Sequence, residues 1–540
     1  MSKINFSKKI INYIVYAINS VMAGLCFILM QRNFFSENRS GEELFSPWRT
    51  FIFICASLSC FLLFSICTMG ESRKKIEHFI EKLGTHPIFL TVLVSALFRM
   101  WYLSHFKGYI LYYDTKTYTN YPYNIFLGQT DIFRTPGYPY FLKLIHYITG
   151  NGENDITFYH TVTYIQTLLS LASIVILYLA GRKLFKNKYI LSFACFLYGI
   201  APCVFNWDVI VLTETLSLFC TVLLIYFVFS YLAKPSVLKA VWLGIYSFGM
   251  IMIRPTFIYL IAIFAVFFIA RFIFNRKERK KAIAGLLSVV VCIGMLFGYC
   301  SLNLKNYDYF AVSSVSNTVN NLYIVMMHDD WIDNEEYPEL SRYIRTSMEI
   351  VGDGNWVSNI IEVAPEIFAY EEIDSYVSSC IENHKSEYLK YTMNKFYYLL
   401  DDDIATQYTP LPDEAANFSS FSETALKWTF PFRFFDCYVM VAVSLVFAVI
   451  VLIRKKRICW HIIGLCAIIF THIFVSIYGS MAEFGRLSIM VVPAVILLLF
   501  YFVDYIVNAI KKRRVFCFDD NNSSAISFSK PKTNYEINDL

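Results

Sequence analysis

Charge is what this sequence has least of. Of its 540 residues only 16% are Asp, Glu, Lys or Arg, against roughly a quarter in soluble domains. With 56% hydrophobic and 18% aromatic residues, that scarcity excludes an ordinary water-soluble globule. Paired cysteines are missing as well. Most of the fourteen, such as Cys55, Cys60, Cys67, Cys195, Cys203 and Cys220, fall inside apolar runs, and only Cys380 lies well within a polar region. That leaves no disulfide framework and no CxxC metal site. No Walker loop or GxGxxG fingerprint occurs, so neither ATP hydrolysis nor a nucleotide-binding domain is implied. No alternating short-strand pattern suggests a barrel, and no obvious inverted repeat of the transporter kind is seen.

What is present is a series of apolar runs of about 17–25 residues, the length that crosses the hydrocarbon core. They predict about twelve spans, near 10–31, 51–69, 87–104, 156–180, 189–206, 210–232, 238–253, 256–274, 282–301, 432–453, 458–478 and 487–509. The first run follows "MSKINFSKK" and lacks a small-residue cleavage site, so it reads as an anchor more than a cleavable signal. The loops "SKK", "ESRKK", "GRKLFKNK", "AKPSVLK", "RFIFNRKERKK", "RKKR" and "KKRR" alternate with loops poor in Lys and Arg. By the positive-inside rule the basic loops and both termini are cytoplasmic. The net charge of +5 is thereby absorbed by topology and does not argue for nucleic acid.

Five regions follow. Residues 1–86 form a two-span extension, and 87–301 a membrane core whose first outer loop is 105–155. Residues 302–430, where acidic side chains exceed basic ones about threefold, form a small, largely helical extracytoplasmic domain. Residues 431–510 supply the last membrane helices, and 511–540 a polar cytoplasmic tail. In the outer domain, Ile373, Val377, Cys380, Ile381 and Tyr388 share a helical stripe. Its acidic face is on general grounds a solvated surface. The expected fold class is an all-α polytopic membrane protein.

The outer ends of the spans gather ionisable residues. The loop "GYILYYDTKTYTNYPYN" sets Asp114 among Tyr112, Tyr113, Tyr118, Tyr121 and Tyr123; Tyr-rich belts at the headgroup level are also routine. "FRTPGYPYFLKLIHYI" follows, with Pro136, Gly137 and Pro139 interrupting the chain beside Arg134 and Tyr138, then an amphipathic stretch. "NWDVIVLTETLSLF" puts Asp208 at a span boundary and Glu214 several residues into the sixth span. "GMIMIRPTFIYLI" puts Arg254 at an outer turn, against the positive-inside trend. "EFGRLSIMVVP" puts Glu483 and Arg486 one helical turn apart, where they could pair with each other. Charge at a span is expensive and usually faces a protein interior or an aqueous cavity.

Together "LFRMWYLS", "YYDTKTY", "FRTPGYPYFL", "VLTETLSLF", "IMIRPTFIYL" and "EFGRLSIMVVPAVILL" resemble, in order, the blocks of integral-membrane glycosyltransferases of the GT-C fold. The resemblance is to the polyprenyl-phosphate-sugar-dependent enzymes related to protein O-mannosyltransferases and the lipid A aminoarabinose transferase. It spans roughly residues 87 to 510. Leu487 stands where that family often has tyrosine, and Thr135 where the aminoarabinose transferases carry lysine.

The resemblance implies a polyprenyl-phosphate-linked sugar donor and an extracytoplasmic glycan, lipid or protein acceptor, at a bacterial cytoplasmic membrane. It makes Asp114 the general base. Arg134, Arg254 and Arg486 are candidates for the donor phosphate, and Tyr113, Tyr118, Tyr138, Glu214 and Glu483 for the surrounding substrate site. Guanidinium forks suit phosphate, so no metal or other cofactor is required, although Asp208, Glu214 and Glu483 leave a hard-cation site open. Two other classes stay in play: a polysaccharide polymerase or ligase using polyprenyl-diphosphate oligosaccharides, and a lipid or sugar transporter. Charges gathered towards one face favour chemistry there over transport.

Overall fold

The computed structural model describes residues 87–103, 109–111, 114–149, 156–315, 319–351, 372–398, 438–455, 459–479 and 484–520. The expected spans at 10–31 and 51–69 and the last twenty residues of the tail lie outside them. The membrane part comprises α1 (Pro87–Leu103), α2 (Gly137–Thr149), α3 (Ile156–Gly181), α4 (Lys188–Ile200), α5 (Glu214–Ala233), α6 (Val237–Ile253), α7 (Tyr259–Phe274) and α8 (Arg279–Tyr307). In the region read as extracytoplasmic come the helices α9 (Asn320–Met326), α10 (Pro338–Val351), α11 (Ile373–Asn383) and α12 (Lys385–Tyr398), with a single helical turn, Asp329–Ile332, between the first two. The chain returns to apolar helices with α13 (Tyr438–Lys455), α14 (Trp460–Tyr478) and α15 (Val492–Asp520). No β-strand occurs among the described residues; the one extended pairing is a parallel bridge between Ile110 and Ile210.

Against the twelve expected spans, the described residues hold six helices long and apolar enough to cross a membrane, or seven with one bent pair, plus three shorter apolar helices. Their outward faces are oily. Val266, Leu287, Val290, Phe297 and Phe470 are each more than 60% exposed, an apolar surface that water would not tolerate at this extent. The protein is an integral membrane protein. Inward, α3 packs on α5, α6 and α7 on α8, α1 on α4, and α15 on both α4 and α13. Phe158, Tyr198, Phe229, Phe257 and Phe268 are sealed between them.

Two expected spans depart from straight helices. The run 189–206 breaks where Pro202 forces Ala201 into extended backbone (φ −67°, ψ 124°), and the two pieces are bent by 59°. The run 210–232 is helical only from Glu214 onward, so Glu214 opens α5 instead of lying several residues inside it. A carboxylate there suits the positive end of the helix dipole. Similarly, α6 stops at Ile253 because Pro255 disfavours helical backbone before it; Arg254 is extended (φ −150°, ψ 115°).

The amphipathic stretch after Arg134 is α2. Tyr138, Leu142 and Ile145 are buried on one face, while Tyr147 and Ile148 are exposed on the other, as a helix lying at a membrane interface requires. Its first residue, Gly137, is indispensable: a Cβ there would stand 2.5 Å from the Met252 carbonyl oxygen. That close approach brings the chain after Arg134 against the end of α6, next to Arg254.

Residues 319–398 have a core of their own, built on Leu322, Trp331, Ile344, Tyr376, Val377 and Cys380. Of the expected stripe, Ile373, Val377 and Cys380 are buried there, with Ile381 and Tyr388 packed at its edge. The stripe is carried by two helices, not one, because the chain leaves helical geometry at His384 (φ −116°, ψ 31°).

Candidate active site

Two stretches about a hundred residues apart are drawn together first. Ile110 N–H donates to the Val209 carbonyl at 2.8 Å, and Val211 N–H donates to the Ile110 carbonyl at 3.1 Å. The Thr115 hydroxyl adds a bond to the Val211 carbonyl at 3.1 Å. Since Asp114 follows Ile110 by four residues and Glu214 follows Val211 by three, the pairing sets these two carboxylates side by side. Neither neighbourhood is regular enough to do this alone. Gln166, wholly buried on α3, ties the second stretch to α2: its amide nitrogen donates to the Ile210 carbonyl at 2.8 Å, and its oxygen accepts from the Tyr138 hydroxyl at 2.8 Å.

Three arginines converge on the two carboxylates. Arg134 Nη2 meets Asp114 Oδ1 at 2.6 Å. Arg486 bridges both acids, with Nε 2.5 Å from Glu214 Oε1 and Nη2 3.4 Å from Asp114 Oδ2. Arg254 Nη1 stands 3.4 Å from Glu214 Oε1. Arg134 is further fixed by donating to the Thr117 hydroxyl at 2.9 Å and by lying over the Tyr118 ring, 4.8 Å from its centroid. Tyr118 in turn meets Tyr138 edge-on at 5.3 Å. Guanidiniums on an aromatic face keep their donors directed sideways, towards whatever lies in front.

Glu214 is fully buried whereas the Asp114 side chain is 31% exposed, so Asp114 is the carboxylate that a solute can reach. Burial pushes its pKa up, but the Arg134 and Arg486 guanidiniums outweigh that and hold it below the usual carboxylate range. It is ionised at neutral pH. Three guanidiniums gathered at this wall, on a cavity, are an arrangement suited to an anionic ligand.

The wall belongs to a cavity of about 590 Å³. Asp114, Tyr118, Arg134, Arg254 and Arg486 line one side of it. Ile258, Phe474 and Tyr478 line another, and these are 45%, 48% and 61% exposed on the apolar surface. Ser313, Asn321 and Tyr388 also line it, the last two from the helices α9 and α12. The space thus joins a cationic end, a lipid-facing side and a neutral polar side.

Of the residues expected to form a site, Asp114, Tyr118, Arg134, Arg254 and Arg486 line the cavity, while Tyr138 and Glu214 stand directly behind them. Tyr113 and Glu483 lie outside the described residues, and Arg486 takes Glu214 and Asp114 as partners. Asp208 is elsewhere. It is sealed against Arg99 at 2.9 Å, both under 3% exposed, with Arg99 also donating to the Ser170 hydroxyl and the Gly199 carbonyl. Among the described residues no three His, Cys, Asp or Glu side chains gather as a metal site would require.

Sequence reasoning missed Arg99, Gln166, Asn321 and Tyr388. An arginine in the middle of "LFRMWYLS" is a legible signal, since a lone charge in a span demands a partner. Nothing local marks Gln166 or Asn321, and Tyr388 is marked only as part of an apolar helical stripe.

Residues 134–327 match the model of a family described as dolichyl-phosphate-mannose-protein mannosyltransferase; the matched stretch contains Arg134, Glu214 and Arg254 but neither Asp114 nor Arg486. No curated protein sequence matches the chain significantly. Among solved structures, the oligosaccharyltransferase AglB from Archaeoglobus fulgidus, in complex with an inhibitory peptide and a dolichol-phosphate, aligns with a TM-score of 0.40 at 12% identity, over 82% of this chain and 52% of that one. An apo oligosaccharyltransferase from the same organism aligns with a TM-score of 0.40 at 11% identity, over 82% and 53%. One with zinc and sulfate aligns at 0.42 and 12% identity, over 80% and 51%. The chain spans about half the length of these structures.

Proposed function

We propose that this chain, a membrane glycosyltransferase of the GT-C type, takes its sugar from a polyprenyl phosphate and passes it to a hydroxyl-bearing acceptor on the extracytoplasmic face of a bacterial cytoplasmic membrane. One observation carries the reading. Three arginines that meet at Asp114 and Glu214 face a cavity whose other side is apolar and lipid-exposed. A lipid phosphate has that shape and polarity: an anion at one end, hydrocarbon at the other.

The chemistry follows from the geometry. The donor phosphate lies on the guanidiniums, which carry the charge that grows on its bridging oxygen as the bond to the anomeric carbon breaks. The acceptor oxygen attacks that carbon from the opposite side, and its proton passes to Asp114. A single displacement inverts the anomeric centre, and polyprenyl phosphate leaves. In the free protein Arg134 and Arg486 hold Asp114 ionised but weakly basic. When they turn to the phosphate, the carboxylate loses part of that stabilisation and becomes the stronger base. Donor arrival therefore arms the acceptor step.

The test uses purified protein in nanodiscs with a polyprenyl-phosphate hexose and, separately, a polyprenyl-diphosphate oligosaccharide. The acceptor is drawn from whichever envelope glycan loses a sugar when the gene is deleted. Release of polyprenyl phosphate with sugar transfer is expected from the first donor alone. Turnover of the diphosphate donor only would replace this reading with a polymerase or ligase. For orientation, Glu382→Cys should react with a membrane-impermeant thiol reagent in intact cells while Arg182→Cys should not; both positions are exposed, and the reverse pattern would invert the assignment.

A further inference from the structure

The arginine wall accounts for the phosphate, and the apolar side for the prenyl chain. The third side of the cavity is unassigned, and it comes from another part of the molecule. Asn321 on α9 and Tyr388 on α12 both line the cavity, although 67 residues separate them. The Tyr388 hydroxyl donates to Asn321 Oδ1 at 3.0 Å. Next to this pair, Asn320 Nδ2 donates to the Gly479 carbonyl at 2.5 Å, which ties α9 to the end of α14. The pair is therefore held at a fixed distance from the membrane helices that bear the arginines.

The shared bond decides what the pair can offer. With its proton given to Asn321, the Tyr388 oxygen presents lone pairs; with its oxygen occupied, Asn321 presents the two N–H groups of its amide. An acceptor and a donor then sit on neighbouring atoms of one hydrogen-bonded pair. Adjacent hydroxyls on a sugar ring are likewise close neighbours and can each donate or accept. Among the described residues the charged ones that line the cavity are Asp114, Arg134, Arg254 and Arg486, none of them on α9 or α12, so the pair suits a neutral hydroxyl-bearing group in preference to an ammonium or a carboxylate.

Resting on the glycosyltransferase reading above, we propose that Asn321 and Tyr388 bind two neighbouring hydroxyls of the donor's sugar and so determine which sugar the enzyme accepts. The phosphate sites give affinity common to every polyprenyl phosphate. The pair adds affinity only when a sugar with the right adjacent hydroxyls is attached. Sugar choice then resides in the segment 319–398, whose core is separate from that of the membrane helices.

Binding separates the two ideas. Nanodisc-embedded protein is titrated with undecaprenyl phosphate and with its mannosyl, glucosyl and galactosyl esters. Wild type should bind at least one hexosyl lipid more tightly than the bare phosphate, by about 10-fold or more. In Tyr388→Phe, which removes only the hydroxyl, and in Asn321→Ala, that advantage should shrink to about 3-fold or less, with the bare phosphate bound as in wild type; loss of one hydrogen bond is of this order. Arg254→Ala should weaken all four lipids alike. Equal binding of all four by wild type would overturn the proposal, as would full sugar discrimination in both variants. Equal loss of the bare phosphate in Tyr388→Phe would make its role structural and overturn it too. If Arg254→Ala, Arg134→Ala and Arg486→Ala all leave every lipid unaffected, it is the phosphate reading that fails.

Discussion

Two of the ion-pair groups among the described residues differ in the way that separates scaffold from site. The Arg99–Asp208 pair is balanced, one cation to one anion, and closed, with both side chains under 3% exposed. The group around Asp114 and Glu214 brings three arginines to two carboxylates among the described residues and is open on a cavity. Removing charge from water is expensive in both. In the closed pair the cost is offset by mutual attraction and by hydrogen bonds from Thr215 and to Ser170. The open group turns its arginines to the cavity, where an anionic ligand can meet them. The closed pair locks the bent segment around Pro202, from which the open one is built.

The comparison breaks most visibly if the closed pair is cut. Arg99→Met strands the Asp208 carboxylate, and losing one partner of a buried pair costs about 3–5 kcal/mol. A large fall in thermal stability in detergent is expected. The double variant Arg99→Met with Asp208→Leu should recover much of it, because no unpaired charge remains. An unchanged melting temperature in the single variant would mean that the pair does not hold the fold.

Asp114→Asn is expected to leave that stability nearly intact and to act on turnover. Asparagine keeps the size and part of the hydrogen bonding but cannot take a proton, so kcat should fall at least about 100-fold, the low end of general-base contributions. Donor affinity should hold. Near-normal transfer would show that Asp114 is not the base.

Smaller effects should follow at the arginines. Arg134→Ala or Arg254→Ala removes a charge-assisted contact of about 1.5–3 kcal/mol, so donor use should weaken by roughly 10- to 100-fold. Unchanged donor kinetics in both would leave Arg486 as the principal phosphate contact.

The subtlest expectation concerns pH. Asp114 is held below the usual carboxylate range by its two guanidiniums, so the acid limb of kcat/KM should lie below that range in wild type. Arg134→Ala removes one stabiliser of the charged form, which raises the carboxyl's pKa and moves the limb to higher pH. The same ionisation contributes to stability at neutral pH and is lost as pH falls through the folded-state value. A limb that does not move would uncouple Arg134 from Asp114 in solution.

The sequence by itself determined the class of the molecule. Long apolar runs can only be membrane helices, because backbone polar groups in lipid must be satisfied within the segment. The ordered blocks around Asp114, Arg134, Glu214, Arg254 and Arg486 named the site's charges, since charge beside a span is too costly to be incidental. Tertiary structure alone decided who meets whom. Arg486 meets Glu214 and Asp114, 272 and 372 residues away. Asp208 looked like another site acid and is instead the sealed partner of Arg99. Gln166 and Asn321 carried no local mark, and Tyr388 was marked only as part of an apolar helical stripe. Helix formation follows short-range periodicity that a sequence displays, whereas an ion pair depends on which helix ends are neighbours. That depends on the bend at Pro202, the close approach at Gly137 and the pairing of Ile110 with Ile210.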